Sequence, residues 1–416
     1  MKRILWCLTV VISLLLVGVP LATSEQSPQS SMENGYGIQW QENYGSDPSY
    51  GARYEGPQPI GDCDNDGDNE LLIGGRDAML RIMEWNSLEQ TYVQTHILHC
   101  PFYTIWRILR LFNEEWAPAP MDADGFAIGD LTGDGKNEIA VSWYASIYHY
   151  IGGKYRLIGW NNWIEEHGGG SPDCYIGDCD NDGQNELIIS CRDWYDSIPE
   201  IVVFKWNGWR LVKVYEWDDP GINGEIFMAG LGDTDQDGEN EIVCGSGDKV
   251  VVLDFEQETA SFIPTIIQNQ PGQGWDNHPF ACVCKDSDMD GFVEIHVGYF
   301  YPRITIFEWN GTFYEVKYEK IWPDEGVLIE ALDIGDVDDD GTNEVCAGTD
   351  LVHILQWDGN TYVEEALLNT FGHLAVMNIG DSDNDGKNEL NVGSVIVDEG
   401  QDFMEWIYKY GWEPRS

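Results

Sequence analysis

Seven segments of this chain set carboxylates at alternate positions on a short turn. They are GDCDNDGDNE (61–70), GDLTGDGKNE (129–138), GDCDNDGQNE (177–186), GDTDQDGENE (232–241), KDSDMDGFVE (285–294), GDVDDDGTNE (335–344) and GDSDNDGKNE (380–389). Numbered from the first Asp, six have Asp at positions 1, 3 and 5, the second has Thr132 at position 3, and all have Gly at 6 and Glu at 9. Oxygens alternating on a tight turn converge on one centre, and hard cations that accept many oxygen ligands, Ca²⁺ above all, suit such a cage. Position 7 would add its backbone carbonyl, and the Gly permits the sharp turn after the third donor.

The candidate ligands, loop by loop, are Asp62, Asp64, Asp66, Asp68 and Glu70; Asp130, Thr132, Asp134, Lys136 and Glu138; Asp178, Asp180, Asp182, Gln184 and Glu186; Asp233, Asp235, Asp237, Glu239 and Glu241; Asp286, Asp288, Asp290, Phe292 and Glu294; Asp336, Asp338, Asp340, Thr342 and Glu344; and Asp381, Asp383, Asp385, Lys387 and Glu389. Up to seven Ca²⁺ are expected, with the Thr132 loop the weakest site because it offers a neutral oxygen. An EF-hand opens in the same way but needs a bidentate Glu at position 12 and flanking helices. Position 12 here is Ile73, Val141, Ile189, Cys244, Val297, Ala347 or Val392, inside strand-like runs. The EF-hand is therefore excluded.

The elements that position these loops repeat with them. The first Asp residues recur 45 to 68 residues apart, a period that belongs to an array of supersecondary units. A short apolar run such as FAIGD (126–130) leads into each loop, and a run such as ELLIGG (70–75) or EIVCGS (241–246) follows it. A third run ends in an aromatic and a turn pair, as in IVVFKWNG (201–208) and ITIFEWNG (304–311), where Asn-Gly favours a hairpin. A fourth strand completes the unit. Seven such units predict an all-β, seven-bladed propeller of four-stranded antiparallel blades, with one acidic loop per blade. The seventh unit stops one strand short at EWIYKYGW (405–412), and GIQWQENY (37–44) has strand character with no repeat of its own. That segment is expected to close the ring and remove its open edges. Trp85, Trp206, Trp309 and Trp357, at the hairpins, are expected to pack between blades.

The segment GFAIGDLTGDGKNEIAVSW (125–143) resembles an FG-GAP repeat, the unit of the integrin α-subunit propeller, and the other loops resemble the related VCBS-type repeats of secreted microbial proteins. The resemblance spans residues 37–416. It implies an extracellular, Ca²⁺-carrying propeller used for adhesion or ligand binding. Most repeats here lack the Phe-Gly of the family, no integrin-like leg region follows, and Lys285 stands where the other loops begin with Gly.

Residues 1–24 have a basic start, a long apolar run and small residues before Glu25, which reads as a signal peptide or an uncleaved anchor. Residues 25–36 read as a polar linker. The expected location is secreted or cell-surface, with no membrane insertion of the mature domain. A net charge of −51 excludes nucleic acid and anionic membrane as simple electrostatic partners. Nine cysteines follow the signal segment. Cys174 and Cys191 flank loop 3 at nearly matched distances and are a possible disulfide pair, the alternative being two buried thiols. Asn310-Gly-Thr312 is a glycosylation sequon on a hairpin turn.

The segments joining one blade to the next contain Trp116, Trp163, Trp217, Trp275 and Trp322 among Asp, Glu and His. Gathered on the face opposite the acidic loops, they would form an aromatic mouth for an extracellular carbohydrate or protein ligand; the alternative is that they cap blade ends. The run PFYTIWRILRLF (101–112) breaks the repeat, and its apolar and basic mix could cover the propeller or dock a partner. No catalytic constellation is present: there is no HExxH, GxSxG or phosphate loop. The reading is therefore a binding or adhesion module. The alternative is a polysaccharide-lyase-like enzyme on the same scaffold, using a Tyr, His or Lys base.

Overall fold

The computed structural model describes residues 34–45, 58–74, 79–112, 125–162, 168–193, 198–220, 222, 224, 226–269, 277–325, 328–370, 372–395 and 403–413. The strands form seven antiparallel four-stranded sheets, six of them meanders in which neighbours in sequence pair. Blade 3 is typical: Gly168–Gly177, Glu186–Asp193, Pro199–Trp206 and Leu211–Asp218 lie side by side in that order. Each acidic loop joins the first strand of its blade to the second. The hairpin turns between third and fourth strands lie on the same face, and the connections between blades lie on the other.

Blade 7 takes its fourth strand from the other end of the chain. Tyr36–Gly45 pairs antiparallel with Phe403–Tyr410, Ile38 opposite Tyr408 and Trp40 opposite Ile407. The core lies between blades. Leu80 and Ile82 of blade 1 cluster with Phe126 and Ile139 of blade 2. At the closure, Trp40 and Ile407 cluster with Leu71 and Ile73 of blade 1. Second strands are apolar on both faces because each is covered by a blade on either side: Leu71, Leu72 and Ile73 are all buried.

The Gly before each loop serves this packing. A Cβ at Gly129 would lie 2.9 Å from Ile176 of the next blade, and one at Gly335 3.1 Å from Ile379. Blade 5, with Lys285 there, uses the position differently: its Nζ donates to Asp333 Oδ1 at 2.5 Å and to the Ile334 carbonyl at 2.8 Å, both in blade 6. Of the hairpin Trp residues expected to pack between blades, Trp85, Trp206 and Trp357 join clusters that span two blades. Trp85, Trp309 and Trp357 each meet a Tyr of the fourth strand at 4.9 Å between ring centroids, and Trp206 contacts Gly159 of blade 2.

The disulfide reading is corrected: no bridge joins Cys174 to Cys191, and both lie in one apolar cluster. The first two strands of blade 3 pair Cys174 with Ile189, and Gly177 with Glu186. Cys191 is thus two residues beyond the position facing Cys174, a diagonal offset too long for a disulfide. Residues 1–33, including the signal segment and most of the linker, lie outside the described residues.

Candidate functional site

The seven acidic loops share one geometry, and their Glu residues anchor it. Glu70, Glu138, Glu186, Glu241, Glu294, Glu344 and Glu389 open the second strands and are all buried. In each loop one carboxylate oxygen of this Glu accepts the backbone N–H of position 2, at 2.7 to 3.0 Å. The first Asp accepts the N–H of position 6 at 2.8 to 3.1 Å. The residue at position 5 accepts the N–H of position 7 at 2.8 to 3.1 Å. Positive φ is needed twice per loop, at position 4 (Asn65 66°, Met289 62°) and at the Gly of position 6 (Gly67 103°, Gly386 87°). In the loops led by Asp62, Asp130, Asp178 and Asp381 the second oxygen of the first Asp accepts the N–H of position 5 as well.

The loop carboxylates converge. In the loops led by Asp178, Asp233, Asp286 and Asp381, one oxygen from each of positions 1, 3, 5 and 9 lies within 4.8 Å of the others. In loop 2 the corresponding group is Asp134, Glu138 and His149, while the Thr132 hydroxyl donates to Glu138 at 3.1 Å. The Oδ1 atoms of Asp233, Asp286 and Asp336 are enclosed and accept no hydrogen bond from the protein. An enclosed acceptor with no donor fits a neighbouring cation, whether a metal ion or an ammonium. The carboxylates also show their crowding. Burial pushes Glu70 up to about 7, and Glu241 and Glu344 up to about 8. Burial, then the charges of Asp66, Asp62 and Glu84, raise Asp64.

Loops are joined around the ring by a residue the sequence analysis passed over, the Asn at position 8. Its side-chain N–H donates to the carbonyl of the first Asp in the preceding loop, at 2.6 to 2.9 Å, for Asn69, Asn137, Asn185, Asn240, Asn343 and Asn388. Asn69 bonds to Asp381, which carries the pattern across the closure of the ring. Blade 5 has Val293 in this place. The invariant Asn-Glu pair in the other six loops was the available signal.

A second overlooked set lies on the third strands, across from the buried Glu. Glu389 pairs with Lys409, and Glu344 with Gln356. The same registers, continued by one residue, place Glu84, His149, Lys205, Asp254 and Glu308 across from Glu70, Glu138, Glu186, Glu241 and Glu294. The signal in the sequence was the residue just before each hairpin aromatic, which varies where everything around it repeats.

The opposite face differs from expectation. Trp217 belongs to the strand Leu211–Asp218, which pairs it with Ile201, and it packs against a buried cluster. Trp322 is 5% exposed, with its ring 4.3 Å from that of His353. These two cap and fill blades, so they do not ring a mouth. Trp116, Trp163 and Trp275 lie outside the described residues. What this face does present is the inserted run between blades 1 and 2, which forms the helix Tyr103–Arg110. Phe102, Ile105, Ile108, Leu111 and Phe112 are exposed along it.

This architecture defines the class: an all-β, seven-bladed propeller with four-stranded antiparallel blades. No known protein family matches the sequence, and no curated protein does. Solved propellers match the fold. The BBS1N structure in complex with ARL6DN, from crystals soaked with mercury, aligns over 92% of this chain and 99% of its own, at 14% identity and a TM-score of 0.56. The Dos1 propeller aligns over 85% of this chain and 78% of its own, at 11% identity and a TM-score of 0.50. At such identities the likeness concerns the fold.

Proposed function

We propose that this propeller is an exported, Ca²⁺-stabilised binding module of the FG-GAP/VCBS type, presenting its non-metal face to an extracellular ligand. The acidic loops stand at the tops of the blades and bond to one another around the ring, so metal there stabilises the scaffold. The observation that carries the binding role is the helix Tyr103–Arg110. It interrupts an otherwise regular repeat and leaves Ile105, Ile108 and Leu111 exposed between Arg107 and its neighbours. An apolar surface with basic charge favours a protein ligand over a carbohydrate, since the aromatic mouth that would stack sugars is reduced by the burial of Trp322.

The test sets binding against turnover. The full chain is assayed on uronate polysaccharides for unsaturated products, with a glycan array beside it. A binding module gives no turnover. Release of unsaturated product would overturn this reading in favour of a lyase on the same scaffold.

A further inference from the structure

The acidic loops are alike in sequence but not in what faces them. In blade 3, Lys205 Nζ lies 2.7 Å from Asp180, 2.5 Å from Asp182 and 3.2 Å from Glu186. In blade 7, Lys409 Nζ lies 2.7 Å from Asp383, 2.9 Å from Asp385 and 2.6 Å from Glu389. In blade 5 the ammonium comes from the fourth strand: Lys317, the extra residue of a bulge, lies 2.6 Å from Asp288 and 2.8 Å from Glu294. In blade 2, His149 Nδ1 lies 2.6 Å from Glu138. Among the described residues, no Lys or His takes this place in blades 1, 4 and 6. Their third strands supply Glu84, Asp254 and Gln356, whose uncharged amide donates to Asp340 at 3.2 Å, and the bulge position of blade 6 is Glu365, a further carboxylate whose protonation burial and the charge of Asp338 favour.

We infer that the loops divide into classes: loops 1, 4 and 6 each bind a divalent cation, loops 3, 5 and 7 are closed by the protein's own Lys, and loop 2, where Thr132 replaces a carboxylate and both its hydroxyl and His149 bond to Glu138, is left without metal. The inference rests on the Ca²⁺ reading and refines it. An ammonium held by three carboxylates at 2.5 to 3.2 Å occupies the same oxygen cage that Ca²⁺ needs at about 2.3 to 2.6 Å. Two cations cannot share that cage without strong repulsion. In blades 3 and 7 the register fixes the choice, because a side chain directly across from the buried Glu projects from the same face of the sheet, within reach of the loop; in blade 5 that place holds Glu308, and Lys317 reaches the loop from the bulge instead. Lys closes the loop from there. Glu or Asp adds a carboxylate and deepens its need for metal.

The experiment is equilibrium dialysis of the full chain against Ca²⁺, with bound metal counted by elemental analysis. The expected count is three per chain. Lys205→Met and Lys409→Met, folded in Ca²⁺ and checked by circular dichroism, should each raise the count to four. Glu84→Lys leaves every loop residue in place and should lower it to two. Six or seven ions on the native chain would overturn the division while leaving the Ca²⁺ reading intact, as would Lys variants that bind no additional ion. No bound ion at all would overturn the Ca²⁺ reading and the division with it.

Discussion

Lys409 shows how much one residue can carry in these loops. Burial disfavours its charge, but the hydrogen bonds it donates to Asp383 and Glu389 hold the ammonium well above its usual range. Lys409 and both carboxylates are almost fully buried. Removing one partner from such a group leaves charge buried without compensation and costs about 3–5 kcal/mol. Lys409→Met is therefore expected to lose that much stability in chelator, measured by urea denaturation, and to regain most of it when Ca²⁺ is added. A loss below about 1 kcal/mol would mean that the lysine is a solvated surface pair. In Glu241 and Glu344, burial raises the folded-state value to about 8 from an ordinary 4.5. Such a group binds its proton more tightly when folded, so its stabilising contribution is complete below 4.5 and is lost as pH rises through 8. In chelator, melting temperature should fall between pH 5 and pH 8, and less steeply in Glu241→Gln and Glu344→Gln. In excess Ca²⁺ the trend should weaken or reverse, because metal requires the deprotonated ligands. Identical slopes in native and Gln chains would remove these two groups as its cause. The ligand residues were legible because Asp, Gly and Glu recur at fixed loop positions. Lys205, Lys317 and Lys409 were not, because only strand register brings them to the loops.

Among the elements, the loops act as links between blades as well as candidate metal cages. Asn137 donates to the Asp62 carbonyl at 2.8 Å, and its own N–H bonds to Asn65 Oδ1 at 2.7 Å. Asn137→Ala removes the first bond and leaves a partly buried carbonyl unpaired, a cost of about 1 kcal/mol. Urea denaturation of the Ca²⁺-loaded protein checks this, and an unchanged midpoint would show that the ring of Asn contacts adds nothing to stability. The strand order within blades was legible from apolar runs, turn pairs and the position of each loop. The error at Cys174 and Cys191 came from register: the loop 3 turn pairs Gly177 with Glu186, which sets Cys174 against Ile189. Composition carries no information about a shift of one or two residues, yet the shift decides which side chains meet. Trp217 was misplaced for a related reason. Its strand runs on to Asp218, so a residue expected in a connection is part of a sheet.

At the scale of the whole molecule, seven blades close through a strand from the other end of the chain, which covers the edge of Phe403–Tyr410 and completes blade 7. The repeat count and the short seventh unit made the ring legible. The ligand was not, because the segments between blades do not repeat and half of a repeat-based argument has no purchase on them. The chain also carries a net charge of −51, much of it in loops that point oxygens at one another. On the proposed division, divalent cations would relieve that repulsion where no lysine already does so. Each site held at a hundred times its Kd would add about 2.7 kcal/mol to stability by mass action. The most direct measurement is therefore thermal denaturation of the full chain in excess chelator and again after Ca²⁺ is restored, with elemental analysis of the untreated protein. The melting temperature should fall substantially in chelator and recover with Ca²⁺, and the untreated protein should contain bound metal. An unchanged melting curve, with no metal in the untreated protein, would contradict the account.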